Sequence, residues 1–199
     1  MEKVKEFRLS SKAAEIHKFA ETPTLFAQTT QPLGQDFLIV PIVSSSRRKY
    51  IPVGYVQGNT LVNNRVFIVV GITKYHFGVL TSNVHNAWMR MVGVRLKNDY
   101  SYSKDIVYNN FPWPDPTDEQ KAKIEQTAQA ILVARELFPD SSLADLYDPL
   151  TMPPELLKAH RDNDRAVMRA YGYSIKDTTE ASCVADLMER YQRLVGATQ

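Results

Sequence analysis

An α+β fold follows from three features of the 199-residue sequence. Short runs rich in Val, Ile, Tyr and Phe crowd residues 37–80, a proline-locked connector ends at Pro116, and helical periodicity takes over beyond it. The expected arrangement is a β-rich N-terminal domain with embedded helices over residues 1–116, followed by a small helical domain over 117–199. Hydrophobic residues make up 44% of the chain, enough for a real core at this length.

Residues 9–20 (LSSKAAEIHKFA) predict a short helix with Ser10 or Ser11 near its cap, Ile16 and Phe19 on one side, and Thr22-Pro23 as its stop. Runs at 37–43, 50–56, 60–62, 66–70 and 77–80 are short and separated by Gly, Asn, Ser and basic clusters, which predicts strands of a mixed or antiparallel sheet. Thr81-Ser82-Asn83 is suited to cap a helix whose Val84, Trp88 and Met91 recur at i, i+4 and i+7, and Gly93 stops it. From Val94 to Ser103 strict alternation predicts one strand, with Val94, Leu96, Tyr100 and Tyr102 on one face and Arg95, Lys97, Asp99 and Ser101 on the other. Prolines at 112, 114 and 116 remove every second backbone donor, so residues 109–116 form a stiff extended connector, pinned through Phe111 and Trp113. Beyond it, Thr117 and Gln120 form a capping box ahead of Ile124, Ala128, Ile131 and Leu132. After a long structured loop over 140–152, a second helix starts at Pro153-Pro154, carries Leu156, Leu157, His160, Asp164, Val167, Met168 and Tyr171 in one stripe, and ends at Gly172. A third runs from Thr179 to about Val195.

The formal charge of +2 hides an asymmetry. Residues 1–116 hold 14 Lys/Arg against 8 Asp/Glu, whereas 117–199 hold 10 against 14, so the basic surface available to phosphates lies in the first part. A single cysteine, Cys183, excludes a disulfide framework within the chain and points to a reducing compartment, with Cys183 as core filler. No run reaches the roughly 18 apolar residues of a membrane span, and a soluble cytoplasmic protein with no membrane partner is expected.

The four histidines, at 17, 76, 85 and 160, are scattered, and no metal site is expected; His160 reads as a hydrogen-bonded structural histidine. No phosphate-cradling glycine loop and no nucleophile elbow occur. Pro114-Asp115 with Glu119-Gln120-Lys121 superficially matches a nuclease carboxylate–lysine set, but these residues sit in a proline connector and a first helical turn. No catalytic residue and no cofactor site is therefore expected in this chain. Tyr50, Trp88, Phe111 and Trp113 are assigned to packing.

The charged face of the 94–103 segment leaves two readings open from spacing alone. It is a hydrated outer face, or it meets base edges in a DNA major groove, where Lys and Arg donate to guanine O6 and N7 and Asp accepts from cytosine N4. The basic run Arg47, Arg48 and Lys49 is likewise a solvated loop tip or a phosphate anchor.

Several segments, in order, decide between these: FRLSSKAAE (7–15), AETPTLFAQ (20–28), SSSRRKYIPVGY (44–55), YHFGVLTSNVHNAWMR (75–90), RLKNDYSYS (95–103), IVYNNFPWP (106–114), LADLYDPLTMPPELLKAHRDND (143–164) and AVMRAYGY (166–173). Together they resemble the C-terminal part of MmeI-like type IIL restriction–modification enzymes, which combine endonuclease, N6-adenine methyltransferase and target recognition in one polypeptide. The resemblance implies a target-recognition domain over roughly 1–116 and the family's helical domain after it. It implies double-stranded DNA as partner, together with methyltransferase and endonuclease domains of the same polypeptide. The family's S-adenosylmethionine and Asn-Pro-Pro-aromatic motifs are not among these residues, so S-adenosylmethionine and Mg are expected only for domains beyond this chain. By resemblance, Lys97, Asp99 and Ser101 read bases, with the loop of Asn63, Asn64 and Arg65 as a second recognition region; Ser101 replaces the family's usual Arg. Arg47, Arg48, Lys49 and Arg95 are the expected phosphate contacts. The competing expectation is a helical interaction module docking a methyltransferase subunit. An autonomous nuclease is a third, requiring dispersed acids to converge.

Overall fold

The computed structural model describes residues 1–26, 32 and 34–196, and the chain separates into two compact units, Met1–Pro32 and Leu33–Gln199. In the first, helix α1 spans Glu2–Leu9 and a short helix α2 spans Ala14–His17. Of the helix expected over 9–20 only Ala14–His17 is helical, and α1 lies ahead of that span, where no helix was expected. Ser10 closes α1, and the Ser11 hydroxyl accepts from the Ala13 amide at 3.2 Å, turning the chain before α2 begins. The Arg8 guanidinium donates to the carbonyls of Phe19, Thr22 and Leu25 and so ties α1 to the turns after α2. Ala27 and Gln28, the end of the segment AETPTLFAQ, lie outside the described residues.

In the second unit, β1 (Phe37–Pro41), β2 (Val43–Ser44), β3 (Gly54–Val56), β4 (Val66–Val69), β5 (Val94–Leu96) and β6 (Asp99–Ser101) build two antiparallel sheets, ordered β3-β1-β4 and β2-β6-β5. The run expected as one strand over 37–43 divides at Ile42, whose amide donates to the Arg65 carbonyl at 3.0 Å while its carbonyl accepts from the Tyr102 amide at 2.7 Å. One apolar run therefore feeds both sheets. Of the run 50–56 only Gly54–Val56 is strand; Tyr50, Ile51 and Val53 are buried, and the Ile51 amide donates to Asn86 Oδ1 at 2.9 Å. Residues 60–62, expected as strand, are irregular.

Residues 77–80, also expected as strand, belong to helix α3 (Lys74–Leu80). Four apolar residues carry no period that separates helix from buried strand. The deciding signal is upstream, where Thr73 and His76 form a reciprocal capping box. Helix α4 (Asn83–Val92) is capped by Ser82 and ends at Gly93, where a Cβ would stand 2.5 Å from the Met89 carbonyl oxygen. The predicted Thr117–Gln120 box opens α5 (Asp118–Glu136). The 140–152 loop holds a short helix α6 (Leu143–Leu146), capped by Ser142. Helix α7 (Pro154–Ala170) closes at Gly172, whose φ of 79° lets the Tyr173 amide reach the Met168 carbonyl. Helix α8 spans Glu180–Gly196, with Cys183 and Leu187 buried.

One hydrophobic core joins residues from both sides of the connector, with Leu38, Val53, Phe77 and Trp88 in the same cluster as Ile124, Ile131, Leu156 and Leu187. The connector is pinned as its aromatics predict: Phe111 is buried against Trp88, His85 and Tyr171, and the Tyr171 hydroxyl donates to the Pro112 carbonyl at 2.8 Å. Helix α3 crosses α5 and α7 so closely that a Cβ on Gly78 would lie 2.7 Å from Ile124 Cγ2 and 3.0 Å from Asn163 Oδ1.

Candidate nucleic-acid interface

The segment expected as one strand over 94–103 is a hairpin. Strands β5 and β6 turn at Lys97 and Asn98, with Val94 opposite Ser101, Arg95 opposite Tyr100 and Leu96 opposite Asp99. Directly opposed residues share a face, so the turn reverses the parity of the alternation. Val94, Leu96, Asp99 and Ser101 share the outer face, joined by Val43 opposite Ser101; Arg95, Tyr100 and Ser44 share the inner one. The expected sorting of side chains is therefore overturned. Tyr100 and Tyr102 are buried as expected, but Val94 and Leu96 are exposed and Arg95 keeps company with Tyr100. No Asn-Gly or Asp-Gly pair marks this turn, and alternation alone runs straight through it.

Strand β2 gathers the remaining predicted residues. At its start, Ile42 bridges the Arg65 carbonyl and the Tyr102 amide, so the Asn64 and Arg65 loop and the end of β6 meet at one backbone joint. Within that loop Asn63 Oδ1 accepts from the Arg65 amide at 2.9 Å, and Asn64 and Arg65 are exposed. Beyond its other end, the Asp99 carboxylate accepts from the Ser46 amide at 3.2 Å, immediately before Arg47, Arg48 and Lys49. Asp99, half-buried, thus fixes the start of the basic loop through one carboxylate oxygen.

The cations differ in how far they are engaged. Arg47, with its side chain largely exposed, pairs with Asp148 at 3.4 Å. Arg48 donates to the Ala144 carbonyl at 3.3 Å, and the Lys49 ammonium lies 5.3 Å from the Tyr50 ring centre. Arg95 stacks 4.1 Å above the Tyr100 ring and donates to the Asn98 carbonyl at 3.1 Å, closing the hairpin turn. Lys97 stands at the tip with φ 57°, the one non-glycine residue in the left-handed region among the described residues.

Beneath the basic loop lies a buried polar cluster absent from the predicted site. The Tyr50 hydroxyl donates to one Asp164 oxygen at 2.6 Å, and the Asn83 amide, in the first turn of α4, donates to the other at 2.8 Å. The Tyr50 ring stacks on His160 with centroids 4.3 Å apart, and His160 Nε2 meets the Tyr147 hydroxyl at 2.6 Å. Burial pushes the Asp164 carboxyl up to about 6 and holds the His160 imidazole well below its ordinary value. His85, fully buried beside the Tyr102 hydroxyl at 3.0 Å, is likewise lowered to about 4 by burial. The sequence signal was two polar residues, His160 and Asp164, on an otherwise apolar stripe of α7. Arg90 completes the support, pairing with Glu180 of α8 at 2.7 Å and reaching the Lys49 carbonyl at 3.5 Å. Residues after the connector therefore hold the basic loop from below.

Among the described residues no group of three His, Cys, Asp or Glu side chains is placed to hold a metal ion. None of the described helices is long and apolar enough to cross a membrane.

Comparison with known proteins identifies this architecture. The family described as MmeI, target recognition domain, matches residues 1–115, and that described as MmeI, C-terminal domain, matches residues 116–198. DNA methyltransferase A of Bacillus subtilis (strain 168) is 38% identical over 167 residues, which is 84% of this chain and 19% of that protein. The solved structure of the type IIL restriction-modification enzyme MmeI in complex with DNA is 45% identical, with a TM-score of 0.87, and covers 98% of this chain with 26% of its own. The chain thus spans about a fifth to a quarter of the length of these relatives. It belongs to the MmeI family and carries that family's target recognition domain followed by its C-terminal domain.

Proposed function

We propose that this chain reads a specific sequence of double-stranded DNA as the specificity portion of a restriction–modification DNA methyltransferase. The observation that carries this reading is the likeness, at 45% identity over 98% of the chain, to an enzyme solved in complex with DNA. Lys97, at the hairpin tip, donates to guanine acceptors; Asp99 accepts from cytosine N4; Ser101 bonds a base edge through its hydroxyl. Asn64 and Arg65 read from the adjoining loop. Arg47, Arg48, Lys49 and Arg95 neutralise phosphates; Arg47 exchanges its exposed ion pair with Asp148 for a phosphate, Lys49 is exposed over the Tyr50 ring, and Arg48 and Arg95 are partly occupied within the chain. The two-residue turn requires a positive φ at Lys97, which carries its side chain at the hairpin tip. Methyl transfer and cleavage, with S-adenosylmethionine and Mg, belong to methyltransferase and endonuclease domains outside this chain, in a cytoplasmic enzyme.

Competition binding with randomised duplexes at several salt concentrations tests the reading. Lys97→Ala is expected to relax preference at one base pair, whereas Arg47→Ala weakens all sequences alike and lowers the salt slope by roughly 1. Equal loss across sequences for both variants rejects the base-reading assignment. Absence of any retardation at low salt favours instead a helical module that docks a methyltransferase subunit.

A further inference from the structure

The outer face of the β2-β6-β5 sheet carries a feature that hydrogen-bond readout leaves unused. Leu96, Val94 and Val43 are 57%, 55% and 39% exposed on that face, around Asp99 and Ser101. Three large aliphatics left bare on one side of a small sheet form a surface suited to an apolar contact, and hydration alone gives no reason for them. Their register ties them to the base-reading side chains: Leu96 is the cross-strand partner of Asp99, and Val94 of Ser101. Cross-strand Cβ atoms stand about 5 Å apart, comparable to the roughly 3.4 Å step between stacked bases. A face that brings Asp99 and Ser101 to base edges therefore brings Leu96 and Val94 to the same or the neighbouring base pair.

In the major groove the base edges offer one apolar group, the C5-methyl of thymine, and side chains without donors recognise it by contact. Aliphatic side chains gain nothing from phosphates, and Lys97, the proposed guanine reader, follows Leu96 directly in the turn between β5 and β6. We infer that Leu96 and Val94 are specificity-determining residues that read thymine methyl groups in the recognised DNA, complementing the polar readout by Asp99 and Ser101. This rests on the proposed DNA reading and goes beyond it by naming the residues and the chemical group.

The test starts from the duplex that the protein selects out of a randomised library. Each thymine of that duplex is then replaced singly by deoxyuridine, which removes the methyl and leaves the hydrogen-bonding edge intact. Wild-type protein should lose about fourfold in affinity at one or two positions, the equivalent of one methyl-sized contact. Leu96→Ala should erase the deoxyuridine penalty at one position and Val94→Ala at the same or the adjacent one, while Leu96→Met retains it and the salt dependence stays unchanged. Both sites are exposed, and circular dichroism verifies that the variants fold. The inference is overturned if no thymine shows a penalty, or if wild type and variants show the same one. Failure of the protein to select any sequence would instead remove the DNA-reading proposal itself.

Discussion

The hairpin of β5 and β6 and the cluster under the basic loop obey opposite rules, although Tyr100 and Tyr50 belong to the same core. Under the loop, Tyr50, Asp164, Asn83, His160 and Tyr147 are joined by short hydrogen bonds, and Asn163 links Thr127 to the Gly78 carbonyl. At the hairpin, aliphatics face outward, the turn lacks glycine and Lys97 holds an unfavourable φ. The difference separates a frame, whose polar side chains are buried and bonded largely to one another, from an edge that holds exposed and strained side chains ready for something else. Such a division lets residues at the edge change without unsettling the fold.

The frame should break hardest where its helices come closest. Gly78→Val would drive a side chain into Ile124, Ala128 and Asn163, on helices α5 and α7, whose backbones must separate to admit it. We expect a loss of about 3 kcal/mol or more, from overpacking and from the strained Asn163 bond to the Gly78 carbonyl. Urea unfolding monitored by circular dichroism measures it. A change below about 1 kcal/mol would show the helical frame to be looser than its contacts require.

Acid should weaken the same frame, to a smaller extent. His85 and His160 are held neutral by burial, with His85 lowered to about 4, against an unfolded value near 6.5. The unfolded chain binds their protons first, so the stability they contribute is present above pH 6.5 and is lost as pH falls toward the folded values. Asp164 acts in the other sense. Its carboxyl is raised to about 6, so the folded state takes up its proton before the unfolded one, and this offsets part of the loss below pH 6. The net expectation between pH 7 and pH 5 is a decrease in stability, with the two histidines outweighing Asp164, read from thermal or urea unfolding at each pH. His85→Gln should flatten the profile, and an unchanged profile would mean that His85 does not titrate between the two states.

The same division explains what the sequence disclosed. The frame is legible because caps and periodicity act locally: Ser82, Thr117 with Gln120, Pro153-Pro154 and Gly172 each stand where a helix starts or ends. Its errors have physical causes. Residues 77–80 are too few to show a period, and the His76 cap partner is outside the usual Glu or Gln pattern. Ile42 divides one run between two sheets, a decision made by its long-range partners Arg65 and Tyr102. The candidate edge was found through resemblance and alternation, yet its faces were mis-sorted. A two-residue turn without glycine leaves no local trace, and only pairing in space shows Leu96 beside Asp99.

The smallest expected effect is the most discriminating between frame and edge. Lys97 occupies a left-handed conformation that glycine adopts without steric cost, so Lys97→Gly should stabilise the hairpin by about 1 kcal/mol through relief of that strain. Glycine's greater freedom in the unfolded chain works against this gain, which keeps the figure small. The same substitution removes the one side chain at the tip that donates to guanine in the proposed reading, and sequence preference should fall at one base pair. Stability is read by urea unfolding and preference by competition binding, on one protein sample. A frame residue behaves otherwise, because its replacement lowers stability and disturbs binding to all sequences together. Should Lys97→Gly destabilise the protein, the turn would be held by contacts of the lysine itself, and the tip would belong with the frame.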